Sequence, residues 1–333
     1  LSNLAGRQGI SEEKGMNHLT VSKGISLQQH PRETFADIAE IRSGYVKDRF
    51  AFVAGEKMIE LLPALGASKD DLAKLKLVSN NLAADPTLPF RMSKNGRFCF
   101  DPETSSIYRG EYQPFILSAE EDFVRHDSGQ VRKFHEVGND LQLNTAFQAL
   151  LIFQFLICND VKTTCRPKLD YQSPKWVCTL FNLRTITTPS LIGEPAVEGV
   201  HSDGVDHTMT TFLGSENMAD DSAVTFIHDM HEKNSTRWTD TDPRLLKGKA
   251  RHSHFLDTLL IVDHERKHSL SPVLVADKDR PATRDMLIFF TRKPAMAGHV
   301  SYPYDSLIPH AELPMSVDLL TTEHPSPAAR RGR

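Results

Sequence analysis

Cysteine is scarce in this chain: its 333 residues include four, Cys99, Cys158, Cys165 and Cys178. They show no paired metal-type spacing, so neither a disulfide framework nor a thiolate metal site is expected, and reduced thiols in a cytoplasmic protein are. Excess charge of one sign is also missing. With 39 basic and 43 acidic residues the net charge is -4 and the basic residues are dispersed, which leaves no nucleic-acid footprint. Nor is there a continuous apolar run of membrane-spanning length. The most apolar stretch, Leu141 to Cys158, is interrupted by Gln142, Asn144, Gln148 and Gln154 and falls short of the roughly 20 residues a span needs. It reads as a buried helix. No internal repeat and no signal-peptide pattern is visible, with the chain beginning at Leu1.

The second half carries short β-type segments separated by polar or Gly/Pro-containing connections. Trp176 to Ile186, His207 to Leu213, Ala223 to Met230, Phe255 to Val262, His268 to Val275 and Arg284 to Thr291 are rich in β-branched and aromatic residues. Evenly spaced strands of this kind predict a sandwich or jelly-roll barrel. The first half reads as helical. Apolar residues recur at helical spacing through Thr34 to Gly66, and Ser68 before an acidic turn starts a helix to about Leu77. The expectation is one domain over 1–333: a helix-rich support over about 34–160, a jelly-roll core over about 175–293, and a disordered tail at 320–333.

One motif carries chemistry. In Glu198-Gly199-Val200-His201-Ser202-Asp203-Gly204, a strand would project His201 and Asp203 from one face roughly 7 Å apart, close enough to converge on one ion. Gly204 would let the chain turn directly afterwards. With His268 as a third ligand, two imidazoles and a carboxylate on one side of an iron leave three positions open, as a non-haem Fe(II) oxygenase requires. A lone His-x-Asp is weak, since a chain with 15 histidines holds roughly one by chance. Other imidazoles compete: His207, His228, His231, His252, His254 and, most seriously, His264 in VDHERKHS.

The blocks WVCTLFNLRTI, EGVHSDGVDH, VDHERKHSLSPV and RDMLIFF resemble the bacterial and fungal Fe(II)/2-oxoglutarate-dependent amino-acid oxygenases related to isoleucine 4-hydroxylase, over roughly residues 108–293. Within that family the chain is most similar to a fungal branch that oxidises L-valine to a dimethylaziridine carboxylate on a route to 2-aminoisobutyrate. The resemblance implies a double-stranded β-helix (jelly-roll, cupin-like) core, mainly β with flanking helices. It implies Fe(II) held by His201, Asp203 and His268, 2-oxoglutarate as cosubstrate with its distal carboxylate on Arg284, O2, and a small amino acid as substrate. A planar guanidinium suits a carboxylate better than a lysine would.

Ile288 and Phe290 alternate with Arg284 and Met286 along RDMLIFF, so all four share a face, and the first two are candidates for an apolar substrate pocket or for ordinary core. Arg184 is a candidate for the substrate carboxylate or for a structural ion pair. Tyr112, Gln113 and Arg132 fall in segments that resemble family blocks, which implies that they line the site or position 2-oxoglutarate, with no individual role assigned. Removal of hydrogen from the tertiary β-carbon of valine would lead to ring closure by the amine or to hydroxylation. Alternatives are a C-hydroxylase of valine, isoleucine or leucine, a zinc hydrolase on the same ligands, and a non-catalytic small-molecule-binding barrel. The oligomeric state is left open.

Overall fold

A computed structural model describes residues 32–319, so the expected tail at 320–333 lies outside the described residues. The chain begins with α1 (Arg32–Asp48), β1 (Phe50–Val53), α2 (Gly55–Ala64) and α3 (Lys69–Leu75). The run expected to be helical from Thr34 to Gly66 is therefore interrupted. Arg49, at φ 66°, stops α1, and Phe50–Val53 then pairs as an edge strand with Thr258–Ile261. Apolar spacing alone does not separate a helix from such a short insertion. Ser68 caps α3 as expected, its hydroxyl accepting from the Asp71 N–H at 3.1 Å.

Next come β2 (Ala83–Ala84), β3 (Arg91–Asp101), β4 (Ser106–Gly110), α4 (Asn139–Gln142) and α5 (Thr145–Cys158). The apolar run thus breaks at Asn144, whose side chain accepts from the N–H groups of Ala146 and Phe147 and starts α5. Nearly every residue of α5 is buried. Its polar Gln154 is satisfied by donating to the Thr291 hydroxyl at 2.7 Å. Among the described residues no helix is long and apolar enough to cross a membrane.

The remaining strands are β5 (Trp176–Thr187), β6 (His207–Glu216), β7 (Val224–His228), β8 (Leu246–Arg251), β9 (Thr258–Val262), β10 (Lys267–Leu270), β11 (Ala282–Arg292) and β12 (Ser316–Asp318). The fold is a mostly antiparallel sheet structure with few helices. The large sheet runs β1-β9-β6-β11-β5-β3-β4-β12, with β2 on β3, and a smaller sheet runs β10-β7-β8. The first half is thus more than a helical support, because β1, β3 and β4 complete the large sheet. Period-two alternation sorts β11: Leu287 and Phe289 join α5 in the main core, with Phe289 stacked on Phe147 at 6.0 Å, whereas Met286, Ile288 and Phe290 face the other side.

One buried ion cluster pins the end of β11. Asp305 accepts from Arg97 at 2.6 Å, from both terminal nitrogens of Arg292 at 2.9 and 2.7 Å, and from the Ala295 N–H. Burial opposes its charge, but the Arg292 and Arg97 guanidiniums hold its pKa at about 2. Asp305→Asn would strand two buried guanidiniums, and urea unfolding at pH 7 should show a loss of about 3–5 kcal/mol. A carboxylate with a depressed pKa stabilises the fold above its unfolded-state value and loses that contribution as pH falls through the folded one. The wild type should therefore lose its advantage between about pH 4 and pH 2; an unchanged gap at pH 2 would contradict this.

Candidate active site

The segment Glu198 to Gly204 lies between β5 and β6 and forms only one ladder contact with the small sheet. His201 N donates to His268 O at 3.0 Å and His268 N to His201 O at 2.9 Å, which sets the two imidazoles side by side with ring centroids 4.3 Å apart. The expectation of one strand carrying both His201 and Asp203 needs correcting. Beyond His201 the chain leaves the ladder, and the N–H of Asp203 donates to the Asp263 carboxylate, 2.9 Å from each oxygen. Arg166 anchors Asp263 at 2.9 Å. Gly204 then turns the chain at φ 72°, where a Cβ would fall 2.7 Å from Cβ of Glu121.

Each member of the triad is buried, and their ligand-type atoms lie within 4.8 Å of one another. His201 Nδ1 donates to the Gly199 carbonyl at 2.8 Å, which turns Nε2 toward the cavity. Asp203 Oδ1 is 3.4 Å from that Nε2, and Oδ2 is 3.6 Å from Nε2 of His268. The Thr208 hydroxyl donates to Asp203 Oδ2 at 2.8 Å and fixes the carboxylate. Two ligands about 2.1 Å from one ion and at right angles to each other stand about 3 Å apart, so the spacing suits a single metal.

Burial disfavours charge on His201, but Glu198, with a carboxylate oxygen 3.4 Å from Nε2, and Asp203 outweigh it and raise its pKa to about 10. Burial is likewise outweighed at Asp203, which His268 and His201 keep below the usual carboxylate range. Asp263 is pushed above that range by burial and by Asp203. His268 is lowered to about 4, mainly by burial.

The triad opens on a cavity between the two sheets. Arg284, Met286, Ile288 and Phe290 line its large-sheet wall, with Phe181 and Leu183 from β5 beside them. Arg284 is 3 % exposed, no polar group among the described residues meets its Nε, and burial alone lowers its pKa to about 10. His252 beside it is lowered to about 3 by burial and by the Arg284 charge. Arg184, by contrast, stays out of the cavity. It sits opposite Asp285 in the β5–β11 register and grips that carboxylate with two 2.7 Å bonds. Its place one residue from Leu183 puts it on the other face, a parity readable in the strand itself.

Of the rival imidazoles, His264 is outside the group, His228 contacts Ser269, and His231 contacts Asp229. Among the described residues His201, Asp203 and His268 form the one group suited to hold a metal. Tyr112 and Gln113 do not line the cavity, whereas Arg132 does, with Arg125 and Glu198. Sequence reasoning missed Asp263, Thr208 and Glu198, and it weighed His252 only as a rival ligand, whereas the residue lines the cavity beside Arg284. Glu198 lies within the quoted EGVHSDG block, and Asp263 only two residues before Glu265 in the quoted VDHERKHS block.

Two imidazoles and one carboxylate meeting beside a buried guanidinium, between antiparallel sheets, are the arrangement of the mononuclear non-haem iron oxygenases. The chain belongs to the 2OG-Fe dioxygenase family, whose model matches residues 76–290, and members of that family use Fe(II), 2-oxoglutarate and O2. It is 48% identical over 284 residues to the "Bifunctional enzyme flvA" of Aspergillus flavus, covering 85% of this chain and 34% of that protein, so it spans about a third of that relative's length. The solved Fe(II)/α-ketoglutarate-dependent dioxygenase TqaL is 54% identical, with a TM-score of 0.76 over 87% of this chain and 97% of TqaL. A bsmA homologue from Methylobium petroleophilum, 19% identical, shares the fold with a TM-score of 0.63 over 78% and 95% of the two chains.

Proposed function

We propose that this chain is an Fe(II)/2-oxoglutarate-dependent oxygenase acting on a free aliphatic L-amino acid, L-valine foremost, with closure of a C–N bond to a dimethylaziridine-2-carboxylate. The observation that carries the oxygenase reading is the unpaired, buried Arg284 facing the same cavity as His201, Asp203 and His268. A zinc hydrolase would need the three ligands but not that guanidinium. A non-catalytic binding barrel would need no metal positions left open. The double-stranded β-helix reading is supported by the two antiparallel sheets and by the His201–His268 bridge, which ties the segment entering β6 to β10. We further read residues 1–333 as one oxygenase domain.

The donor set fits the implied iron: two imidazoles and a carboxylate already fixed by Thr208, converging within 4.8 Å of one another. His201, Asp203 and His268 would hold the metal, and Arg284 the distal carboxylate of 2-oxoglutarate. When bound, Fe(II) with 2-oxoglutarate and O2 supplies an oxidant able to remove hydrogen from an unactivated carbon. The protein's part is to position and to exclude water. Met286, Ile288 and Phe290, with Phe115 and Phe181, make an apolar wall suited to an isopropyl group. Holding the α-amine against the β-carbon favours ring closure, and a small displacement favours hydroxylation.

Phe290→Val removes a ring stacked on Phe115 at 6.1 Å. The product ratio should move toward hydroxylated amino acid, or larger side chains should be accepted; unchanged products and kinetics would remove Phe290 from the pocket's chemistry. The function itself is tested by anaerobic loading with Fe(II) and 2-oxoglutarate, then oxygen and L-valine, with products resolved by mass. Loss of two mass units coupled to succinate, with NMR to exclude a desaturated isomer, supports ring closure. Gain of sixteen means hydroxylation, and no valine-dependent succinate rejects valine.

A further inference from the structure

The cavity holds a second buried cation without an adequate counter-ion. Arg132 is 6 % exposed and lines the same cavity as Arg284, and its Nε and one terminal nitrogen meet no partner among the described residues. Its one near carboxylate, Asp127, stands 3.7 Å away and is taken by Arg125, which grips it with bonds of 2.5 and 2.6 Å. The guanidinium instead lies against the rings of Phe115 and Phe123, 4.9 and 5.0 Å from their centroids. Aromatic faces stabilise a cation without filling its hydrogen-bonding edge. A buried guanidinium with open donors costs stability unless a ligand completes it.

The two arginines reach the cavity from different parts of the fold. Arg284 belongs to β11, whereas Arg132 lies in an isolated bridge with Phe115 outside the named strands, and both residues of that bridge line the cavity. We propose that Arg132 is a specificity-determining residue that binds the α-carboxylate of the substrate, a reading that rests on the amino-acid oxygenase assignment. Phe115 connects this anion site to the apolar wall, since the ring that backs Arg132 also stacks on Phe290 and meets Phe181 edge-on at 4.9 Å. A carboxylate on Arg132 would therefore direct an aliphatic side chain along Phe115 toward Ile288 and Phe290. Glu198 lines the same cavity with one carboxylate oxygen unpartnered, and so offers a counterpart for the α-ammonium group.

The test is anaerobic calorimetry on the protein loaded with Fe(II) and 2-oxoglutarate, titrated with L-valine, isovalerate, which lacks the ammonium, and isobutylamine, which lacks the carboxylate. Valine should bind at least about 100-fold tighter than isobutylamine, with isovalerate between them, because a buried charge-assisted pair is lost in the amine. Arg132→Gln should weaken valine by a similar factor and abolish its advantage over isobutylamine, Arg132→Lys should keep part of it, and binding of 2-oxoglutarate should change less than about threefold. Equal binding of valine and isobutylamine by the wild type overturns the proposal without any variant, so a folding defect in Arg132→Gln cannot hide the answer. A loss confined to 2-oxoglutarate binding overturns it as well. If valine does not bind at all, the valine assignment fails, and a panel of the other standard α-amino acids decides: a binder lost in Arg132→Gln and partly kept in Arg132→Lys sustains the Arg132 site, and no such binder rejects it.

Discussion

Asp203→Ala and His268→Ala should each lower amino-acid-dependent succinate formation by at least about a thousandfold, because altering a residue that merely orients a metal ligand already costs about 10- to 100-fold. Metal content should fall in parallel, measured by elemental analysis after loading and desalting. Asp203 is the more demanding position. Its two oxygens face His201 and His268, and its backbone is tied to Asp263, so one side chain bridges both imidazoles. Glu198 comes nearest, 3.4 Å from His201 Nε2, but lies outside the converging set. His264→Ala is the internal control, expected to keep wild-type metal content and turnover. The triad assignment would be sunk by the reverse pattern, with His264→Ala inactive and His268→Ala active.

Arg284→Gln should raise the KM for 2-oxoglutarate by about 30- to 1000-fold, the usual range when one partner of a buried charged pair is truncated. Arg284→Lys should fall between, since an ammonium keeps the charge but loses the planar two-point match to a carboxylate. A second readout moves the other way. Without its anion Arg284 is a buried, unpaired charge, so Arg284→Met should raise the melting temperature of the ligand-free protein while destroying cosubstrate binding. Wild-type protein, in turn, should gain stability on adding 2-oxoglutarate, a gain that Arg284→Met abolishes. A normal 2-oxoglutarate KM in Arg284→Gln would remove this residue from the cosubstrate site.

Much of the local structure was legible because it depends on neighbours in the chain. The strands β5, β6, β9 and β11 follow β-branched and aromatic runs, and Ser68 and Asn144 start helices through their own side chains. What escaped depends on partners far away. Phe50–Val53 continues the apolar spacing of the helix before it and becomes a strand because β9 offers an edge. Likewise, β3 carries Lys94, Asn95, Gly96 and Arg97, residues that read poorly as a strand, and it is held there by β5 and β4 on its two sides. Arg184 left two readings open in the sequence, substrate carboxylate or structural ion pair, and the register opposite Asp285 supplies the partner for the second.

The sequence by itself determined the donor types, the same-face grouping of Arg284, Met286, Ile288 and Phe290, and the resemblance that joins His201, Asp203 and His268, since alternation and motif are properties of adjacent residues. Only the tertiary structure decided which charges remain unsatisfied. Arg125, Arg132, Arg184 and Arg284 are the same residue type along the chain, yet Arg125 and Arg184 close on Asp127 and Asp285, and Arg132 and Arg284 face the cavity with open donors. Arg125 meets a carboxylate only two residues along the chain, but Arg184 meets Asp285 from more than a hundred residues away, and no local pattern encodes that second meeting or the lack of one at Arg132 and Arg284.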